Sequence, residues 1–500
     1  MSKLTMLSLN LARHRWPWLF LSACLSSCAL MHDSGAPVPQ IQPDQIRVTK
    51  DIPVTTDAWP RTKWWTMYGD SQLDALVEYA LQHAPDAQIA RQRVEQARAQ
   101  TQAVKGGSQV QAALLGAVDR ERVSADGFLG PFAQDDPAAG LTGPWYTQGI
   151  VGIGGSYKID LWGEERSRIS AAVGVQNARL AEAYAVELEI SADVSRLYFG
   201  IQTLQQKAAL LRQAQTIQSA VVASHRAHIE RGLESATPSA EAENVLLQTQ
   251  QQLTALDTAT RQLREVLRAL IGAHADDMPA IEPAPLPQGH TAVPRELSYQ
   301  LMARRPDLQA MRWYVQASLD QVDAAKAMFY PSFDIKAFFG SYAIHMADLW
   351  TYHSQQIDLV PGLSLPIFDG GQLNANLRNS RAASNIVIDQ YNEAVLDAVR
   401  DVAQAGTLLE GLDKDERLQH ERVAQARIVE GSTQARFQRG LLSNVKSMEA
   451  RLPTISQEAE LVDIQGRQLA AEVQLIKALG GGFDGDSHAI TDGAGRRPKG

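Results

Sequence analysis

The sequence predicts a mainly α-helical fold combined with a membrane β-barrel, and two observations carry this prediction. Long segments rich in Ala, Gln, Arg and Leu continue for tens of residues without Pro or Gly, as helices do. Four shorter runs interrupt them, near residues 110–122, 148–161, 331–341 and 358–368. Most of these runs alternate between apolar and polar side chains with the period of two that is typical of a strand. A run of roughly ten residues suits a tilted strand that crosses a bilayer.

Alternation assigns two faces to these strands. Ile153 and Ile335 fall in the apolar set and are predicted to face lipid, whereas Ser156 and Lys336 fall in the polar set. The run near 110–122 alternates poorly. We nevertheless predict it as the partner strand of the clear run at 148–161. The segment between them is rich in Gly, Pro and Asp, which is typical of a surface loop.

The chain contains one design twice, on either side of a Pro-rich stretch at 273–295. The Pro85-Asp86 helix start matches Pro306-Asp307, and the Arg231-Gly232-Leu233 turn matches Arg439-Gly440-Leu441. Each half therefore reads helix, strand, loop, strand, long helix, tight turn, helix. The predicted organisation is a signal peptide at 1–27, a lipid-anchored segment at 28–70, repeats at 71–290 and 291–482 with turns at 231–235 and 439–443, and a disordered tail at 483–500.

Heptad seams follow the predicted helices. Val395, Val399, Val402, Gly406 and Leu409 step by four and three, which is the spacing of residues that pack against a partner helix. The stretch 164–231 would form a helix of roughly 100 Å at 1.5 Å per residue. A coiled-coil rod explains the seams, but it does not explain the strand pairs.

The N-terminus has the features of a bacterial targeting segment. A basic region up to Arg15 precedes an apolar stretch at 16–25, which is too short to span a bilayer as a helix. Leu25-Ser26-Ser27-Cys28 resembles a lipobox, and we predict Cys28 as the lipidated residue. Cys24 is the alternative, with a shorter apolar stretch, and an ordinary signal peptide with incidental cysteines is the other. The chain has only these 2 cysteines, so a mature disulfide framework is excluded.

Composition and missing motifs exclude several functions. A net charge of −9 argues against a nucleic-acid partner. No internal run approaches 18 apolar residues, so membrane crossing is assigned to strands. His-Glu-x-x-His, Gly-x-Ser-x-Gly and P-loop motifs are absent from the sequence, and we predict no enzyme, no cofactor and no metal site. His225 and His228 share a helix face, but no carboxylate or Cys is arranged beside them, so a solvated face is favoured over a metal site.

Closing a β-barrel requires more than one copy of the chain. Four strands are too few for a barrel, and an open sheet edge in lipid would leave N–H and C=O groups unpaired. Two, three or four copies give eight, twelve or sixteen strands, and a water passage favours three or more.

Several motifs together resemble the outer-membrane factors of tripartite efflux pumps, the TolC-like family, in its lipoprotein branch. They are the lipobox, the two Pro-Asp helix starts, Tyr330-Pro331-Ser332-Phe333, Leu365-Pro366-Ile367-Phe368-Asp369-Gly370-Gly371 and the two Arg-Gly-Leu turns. The resemblance implies a homotrimer with a twelve-stranded barrel in the outer membrane and a helical tunnel through the periplasm. It also implies a periplasmic adaptor and an inner-membrane transporter as partners.

The resemblance also assigns roles at the periplasmic tip. Gly232, Leu233, Gly440 and Leu441 match the family's hairpin turns that dock the adaptor, while helix capping by glycine is the simpler interpretation. Lys446 and Glu449 match two acidic positions at the family's pore constriction. Only Glu449 is acidic, and Pro238 replaces an acidic residue after the first turn, so an acidic double ring is in doubt and a mixed ring is expected.

These features predict a lipid-anchored outer-membrane duct for multidrug efflux, driven by an inner-membrane pump and extending into the periplasm of a Gram-negative bacterium. A protein-secretion duct with the same fold is the main alternative. A periplasmic adaptor is disfavoured because adaptors have one helical hairpin, and a hydrolase is disfavoured by the missing motifs.

Overall fold

A computed structural model describes residues 31–32, 35–42, 54–55, 59–124, 126, 145–274, 277–289, 293–294 and 304–483. The predicted signal peptide, Cys24, Cys28, the loop residues 127–144 and the tail from 484 onward lie outside the described residues. Among the helices in these ranges, none is both long enough and apolar enough for a bilayer span.

The first half follows the predicted order of elements. After a two-residue strand and a 3₁₀ helix at Trp64–Tyr68 come two helices, two strands, the long helix that ends at the first turn, and the helix beyond it. The elements are β1 (Val54–Thr55), α1 (Ser71–His83), α2 (Pro85–Gly107), β2 (Gln111–Arg122), β3 (Trp145–Ile159), α3 (Glu164–Glu230) and α4 (Ala236–Ile271).

The second half repeats the plan, with short 3₁₀ helices at Met346–Asp348 and Tyr352–Ser354 between its two long strands. Its elements are β4 (Val293–Pro294), α5 (Pro306–Ala327), β5 (Ser332–Ala343), β6 (Gln355–Ser364), α6 (Gln372–Gln438), α7 (Asn444–Glu449) and α8 (Leu452–Ala478). The prediction of a single helix after the second turn is wrong. Two helices follow the turn: α7 ends at Glu449, and α8 begins at Leu452. Pro453, in the first turn of α8, has no N–H to bond the Glu449 carbonyl, and its ring would clash with that carbonyl in a continuous helix.

Local sequence explains where the helices begin. Pro85 and Pro306 occupy the first turns of α2 and α5, which confirms both predicted helix starts. Asp70 caps α1, because its side chain accepts the backbone N–H groups of Gln72 at 2.9 Å and Leu73 at 3.3 Å. Helices α3 and α6 each contain 67 residues. At 1.5 Å per residue each is about 100 Å long, as expected for α3.

The four long strands form one antiparallel sheet in the order β2-β3-β5-β6. All four predicted strands are confirmed, including the poorly alternating one at 110–122. The bounds shift by up to four residues: β3 begins at Trp145 and ends at Ile159 rather than 161, and β6 begins at Gln355 and ends at Ser364 rather than 368. Asp160 accepts the backbone N–H of Arg166 at 3.0 Å and so begins the turn into α3. Pro366 has no N–H to contribute to a ladder.

The register confirms the predicted faces. Ile153 pairs with Leu114 and with Phe339, which in turn pairs with Ile357, so these residues share one face. We call this the apolar sheet face, and its large exposed members include Leu114, Ile153, Phe339, Ile357, Leu359 and Leu363. Lys336 pairs with Ser156 on the opposite face. That face, the polar sheet face, carries Asp119, Gln148, Lys158, Asp334, Lys336 and Asp358.

The two larger hydrophobic clusters lie around the middle of the long helices, and a small third one, of Val322, Ala325 and Leu377, lies near the start of α6. One cluster joins α1, α3, α4 and α8 through residues such as Leu73, Tyr198, Leu267 and Val473. A second cluster joins α5, α6 and α8. It includes Val395 and Val402, which confirms that this heptad seam packs against other helices.

Candidate functional site

The strand end of the molecule presents two open sheet edges. In the described residues, β2 and β6 each pair with a neighbour on one side only. Leu114 of β2 and Ile357 of β6 are 78% and 73% exposed, so at both edges none of the described elements covers the apolar sheet face. A large uncovered apolar surface of this kind marks contact with a membrane or with another protein.

The first turn follows the end of α3 that lies opposite the strands. This turn has the geometry of a glycine helix cap. Gly232 is left-handed at φ 71° and donates its N–H to the Ile229 carbonyl at 2.9 Å. Leu233 donates to the His228 carbonyl, also at 2.9 Å. This pair of bonds is the Schellman motif, in which glycine adopts a conformation that side chains disfavour.

The second turn repeats this cap after α6. Gly440 has φ 75° and donates to the Phe437 carbonyl at 2.8 Å, and Leu441 donates to the Arg436 carbonyl at 3.0 Å. A Cβ atom on either turn glycine would meet no other atom within 4 Å, so backbone conformation alone selects glycine here. The capping interpretation of both turns is therefore confirmed.

The leucine after each glycine is exposed, as expected. Leu233 is 72% and Leu441 is 64% exposed. A Schellman cap often buries the residue at this position against the last helical turn. These two leucines instead face outward at the tips of the hairpins.

A cavity of about 510 Å³ lies between the two tips. Helix α3 and the first turn contribute His225, His228 and Glu234, and α7 contributes Lys446 and Glu449. The structure therefore brings the predicted constriction residues next to the first turn. Pro238 of α4 lines the same cavity.

The first turn holds a contact that sequence reasoning missed. Nδ1 of His225 lies 2.7 Å from Oε2 of Glu234, and Nδ1 of His228 lies 3.7 Å from the same oxygen. The expectation that no carboxylate lies beside these histidines is wrong. The solvated-face interpretation is also wrong for His225, whose side chain is 13% exposed. Glu234 is nine positions after His225 in the chain, and only the reversal at Gly232 brings the two side chains together.

Lys446 and Glu449 form an ion pair on α7. Nζ of Lys446 lies 2.8 Å from Oε2 of Glu449, and the Lys446 side chain is 68% exposed. Ser443 caps this short helix by accepting the Lys446 backbone N–H at 3.3 Å. The cation therefore neutralises much of the negative charge that Glu449 would otherwise present to the cavity.

The second tip is fastened by Arg451, which lies between α7 and α8. Its guanidinium is 3.0 Å from a carboxylate oxygen of Glu458 and 3.3 Å from one of Glu430 on α6. Within the part of the chain that the structure describes, no group of three or more His, Cys, Asp or Glu residues is arranged to hold a metal ion.

Comparison with known proteins gives consistent matches. The family model described as outer membrane efflux protein matches residues 76–273 and 297–481. The multidrug resistance outer membrane protein MdtP of Escherichia coli K12 is 47% identical over 92% of this chain and 94% of its own length. MdtQ of Escherichia coli O157:H7, also called a multidrug resistance outer membrane protein, is 38% identical over 92% of this chain and 96% of its own length. The crystal structure of the Campylobacter jejuni CmeC outer membrane channel superposes with a TM-score of 0.79 at 18% identity, covering 92% of this chain and 96% of that one.

Proposed function

The chain belongs to the outer membrane efflux protein family, and we propose that it is the exit duct of a tripartite multidrug efflux pump. It lies in the outer membrane, as its family does. The observation that carries the proposal is the arrangement of one long helix. Helix α3 begins next to a sheet with an uncovered apolar face and ends about 100 Å away at a turn with an exposed leucine.

The duct is a homotrimer with a twelve-stranded barrel. Two open edges per chain require pairing, because unpaired backbone groups are excluded from lipid. Three copies supply twelve strands, with the apolar sheet face toward lipid and the polar sheet face toward the passage. The heptad-packed helices of the three copies continue the passage through the periplasm.

The two turns dock a periplasmic adaptor, which connects the duct to an inner-membrane transporter. Leu233 and Leu441 are the proposed contacts because they are exposed apolar residues at the hairpin tips. Gly232 and Gly440 hold them there through the caps. Lys446 and Glu449 form the proposed constriction, as a mixed ring whose charges are largely paired. The duct has no catalytic activity and needs no cofactor, since the transporter supplies the energy.

Cys28 is the proposed lipid site. Mass spectrometry of the mature N-terminal peptide tests this assignment directly. We expect a mature chain that begins at a lipidated Cys28. A start at Cys24 or an unmodified Cys28 would contradict the assignment. Because the barrel itself spans the membrane, Cys28→Ala should reduce sorting more than channel assembly.

The decisive experiment for the function is drug susceptibility in the source bacterium after deletion of this chain. We expect increased susceptibility to several unrelated compounds, restored by the wild-type chain, and co-purification of an adaptor and a pump. The secretion alternative predicts a different result: unchanged susceptibility together with the loss of a protein from the culture medium.

A further inference from the structure

The cavity between the two tips, which we call the tip cavity, is elongated along the helices that line it. Helix α3 contributes Gln218, Val221, His225 and His228, which follow one another at steps of three and four and so share one face of the helix. From Gln218 to His228 this face extends roughly 15 Å along the helix axis. A volume of about 510 Å³ lies within the range of sites that hold drug-sized molecules.

Apolar side chains line much of the tip cavity. Val221 of α3 and Val445 of α7 are buried there, and Leu452 lies at the start of α8. Val245 of α4 also lines the tip cavity, but it is 48% exposed. This valine lacks full apolar cover, so contact with the hydrocarbon part of a ligand would remove apolar surface from water.

The carboxylates of the tip cavity differ in whether they are paired. Oε2 of Glu449 lies 2.8 Å from Nζ of Lys446, and Glu234 is shared by the two histidines of the first turn. Glu241 of α4 is the exception, because it takes part in neither an ion pair nor a hydrogen bond with the residues that the structure describes. It therefore offers a free carboxylate to a ligand that carries a cation.

A buried amide lies at the end of the tip cavity farthest from the first turn. Gln218 is 8% exposed, and its Oε1 has no hydrogen-bond partner among the described residues. A buried polar atom without a partner is unfavourable, so this amide favours a ligand that supplies one. A half turn of the amide exchanges its oxygen and nitrogen, so Gln218 can accept a hydrogen bond from a hydroxyl group or donate one to it.

We propose that the tip cavity binds a drug-sized organic amine, with the ammonium group at Glu241 and a polar group at Gln218. The carboxylate selects the cation, the valines contact the chain between the two polar ends, and the buried amide selects the polar far end. All the lining residues belong to one chain, so this binding depends neither on the trimer nor on efflux. A bound amine would contact the first hairpin and α7 together, beside the proposed constriction.

A titration of the purified full-length protein in lipid nanodiscs with 8-amino-1-octanol tests the site. Saturation-transfer NMR follows binding, and empty nanodiscs provide the blank. We expect saturable binding of this compound, which has an ammonium group at one end and a hydroxyl group at the other. Octylamine, which lacks the hydroxyl group, should bind about fivefold more weakly. 1-Octanol, which lacks the ammonium group, should bind about tenfold more weakly.

Two variants assign the two ends of the ligand. Glu241→Gln should weaken binding of 8-amino-1-octanol about tenfold and leave 1-octanol unaffected, because only the amine uses the carboxylate. Gln218→Leu should weaken binding of 8-amino-1-octanol about fivefold and leave octylamine unaffected. Glu230→Gln is the matched control, because Glu230 is an exposed glutamate beside the first turn that does not line the tip cavity. It should leave all three affinities unchanged.

Three results would overturn the proposed site. They are binding no greater than to empty nanodiscs, equal affinities for the three compounds, and equal losses in Glu241→Gln and Glu230→Gln. Unchanged drug susceptibility after deletion of the chain would instead contradict the proposed exit duct, while the binding pattern of the purified protein would still support the site.

Discussion

The two ends of the molecule obtain their surfaces in different ways. At the sheet end, the alternation of side chains along a strand decides the face of each residue. Ile153 lies on the apolar sheet face and Lys336 on the polar sheet face for this reason. At the turn end, a residue's surroundings depend on which chain segments a reversal brings together, as for His225 and Glu234. At the sheet end, the effect of a substitution therefore depends on the face that the residue occupies. At the turn end, it depends on which side chains the residue contacts.

The largest effect should come from a cation on the apolar sheet face. Ile153→Arg would place a charge against lipid, at a cost of about 2–4 kcal/mol near the membrane midplane. We expect a strong loss of heat-resistant trimer on gels. Gln356→Arg is the control, because Gln356 lies on the polar sheet face and its amide donates to Asp358 at 2.8 Å. Equal losses in both variants would mean that the faces are assigned incorrectly.

The next effect belongs to the turn end and should spare assembly. Leu233→Asp combined with Leu441→Asp would bury charges without a counterion against the adaptor, so we expect intact trimers and lost efflux. Drug susceptibility and crosslinking to the adaptor provide the measurement. Gln438→Asp introduces the same charge on an exposed polar residue near the second turn and should change little. If the double variant still crosslinks and protects cells, the docking surface lies elsewhere on the helices.

A smaller effect tests whether the two caps are equivalent. Gly232→Ala and Gly440→Ala should each destabilise the local turn by about 1–2 kcal/mol, because both glycines have a positive φ that other residues disfavour. No atom lies near the added Cβ, so the backbone conformation alone accounts for this cost. Hydrogen exchange at Leu233 and Leu441 reports this directly. Gly411→Ala changes a glycine inside α6 with no atom near its missing Cβ, and it should stabilise the helix by up to about 1 kcal/mol. Unequal losses at the two turns would reveal tertiary restraints on one of them.

The smallest effect should appear in ion selectivity. Glu449→Ala leaves Lys446 unpaired in the proposed constriction, and Lys446→Ala leaves Glu449 unpaired. Rings of like charge focus the field in a narrow passage, so the first variant should reduce cation preference and the second should increase it. Reversal potentials of single channels in a salt gradient measure both. Shifts of the same sign would show that the pair does not line the constriction.

The sequence predicted the sheet end well because a period of two is a local property. Even so, it placed the end of β6 at 368, because Leu365 and Ile367 continue the apolar alternation after the ladder has stopped at Ser364. At the turns, Arg-Gly-Leu was enough to predict the caps, which depend on a few consecutive residues. The contact of His225 with Glu234 and the shared cavity were missed, because they depend on side chains that meet only in the folded hairpins.

The caps have a consequence for how a partner recognises the tips. The N–H groups of Gly232, Leu233, Gly440 and Leu441 are already used by the helices' own carbonyls. In the proposed docking, an adaptor therefore meets leucine side chains rather than free backbone donors at these four positions. Apolar contact is non-directional, unlike a hydrogen bond. Adaptors of quite different sequence would satisfy such a surface if they offered a groove of suitable shape, so one duct of this kind is suited to serve several pumps interchangeably.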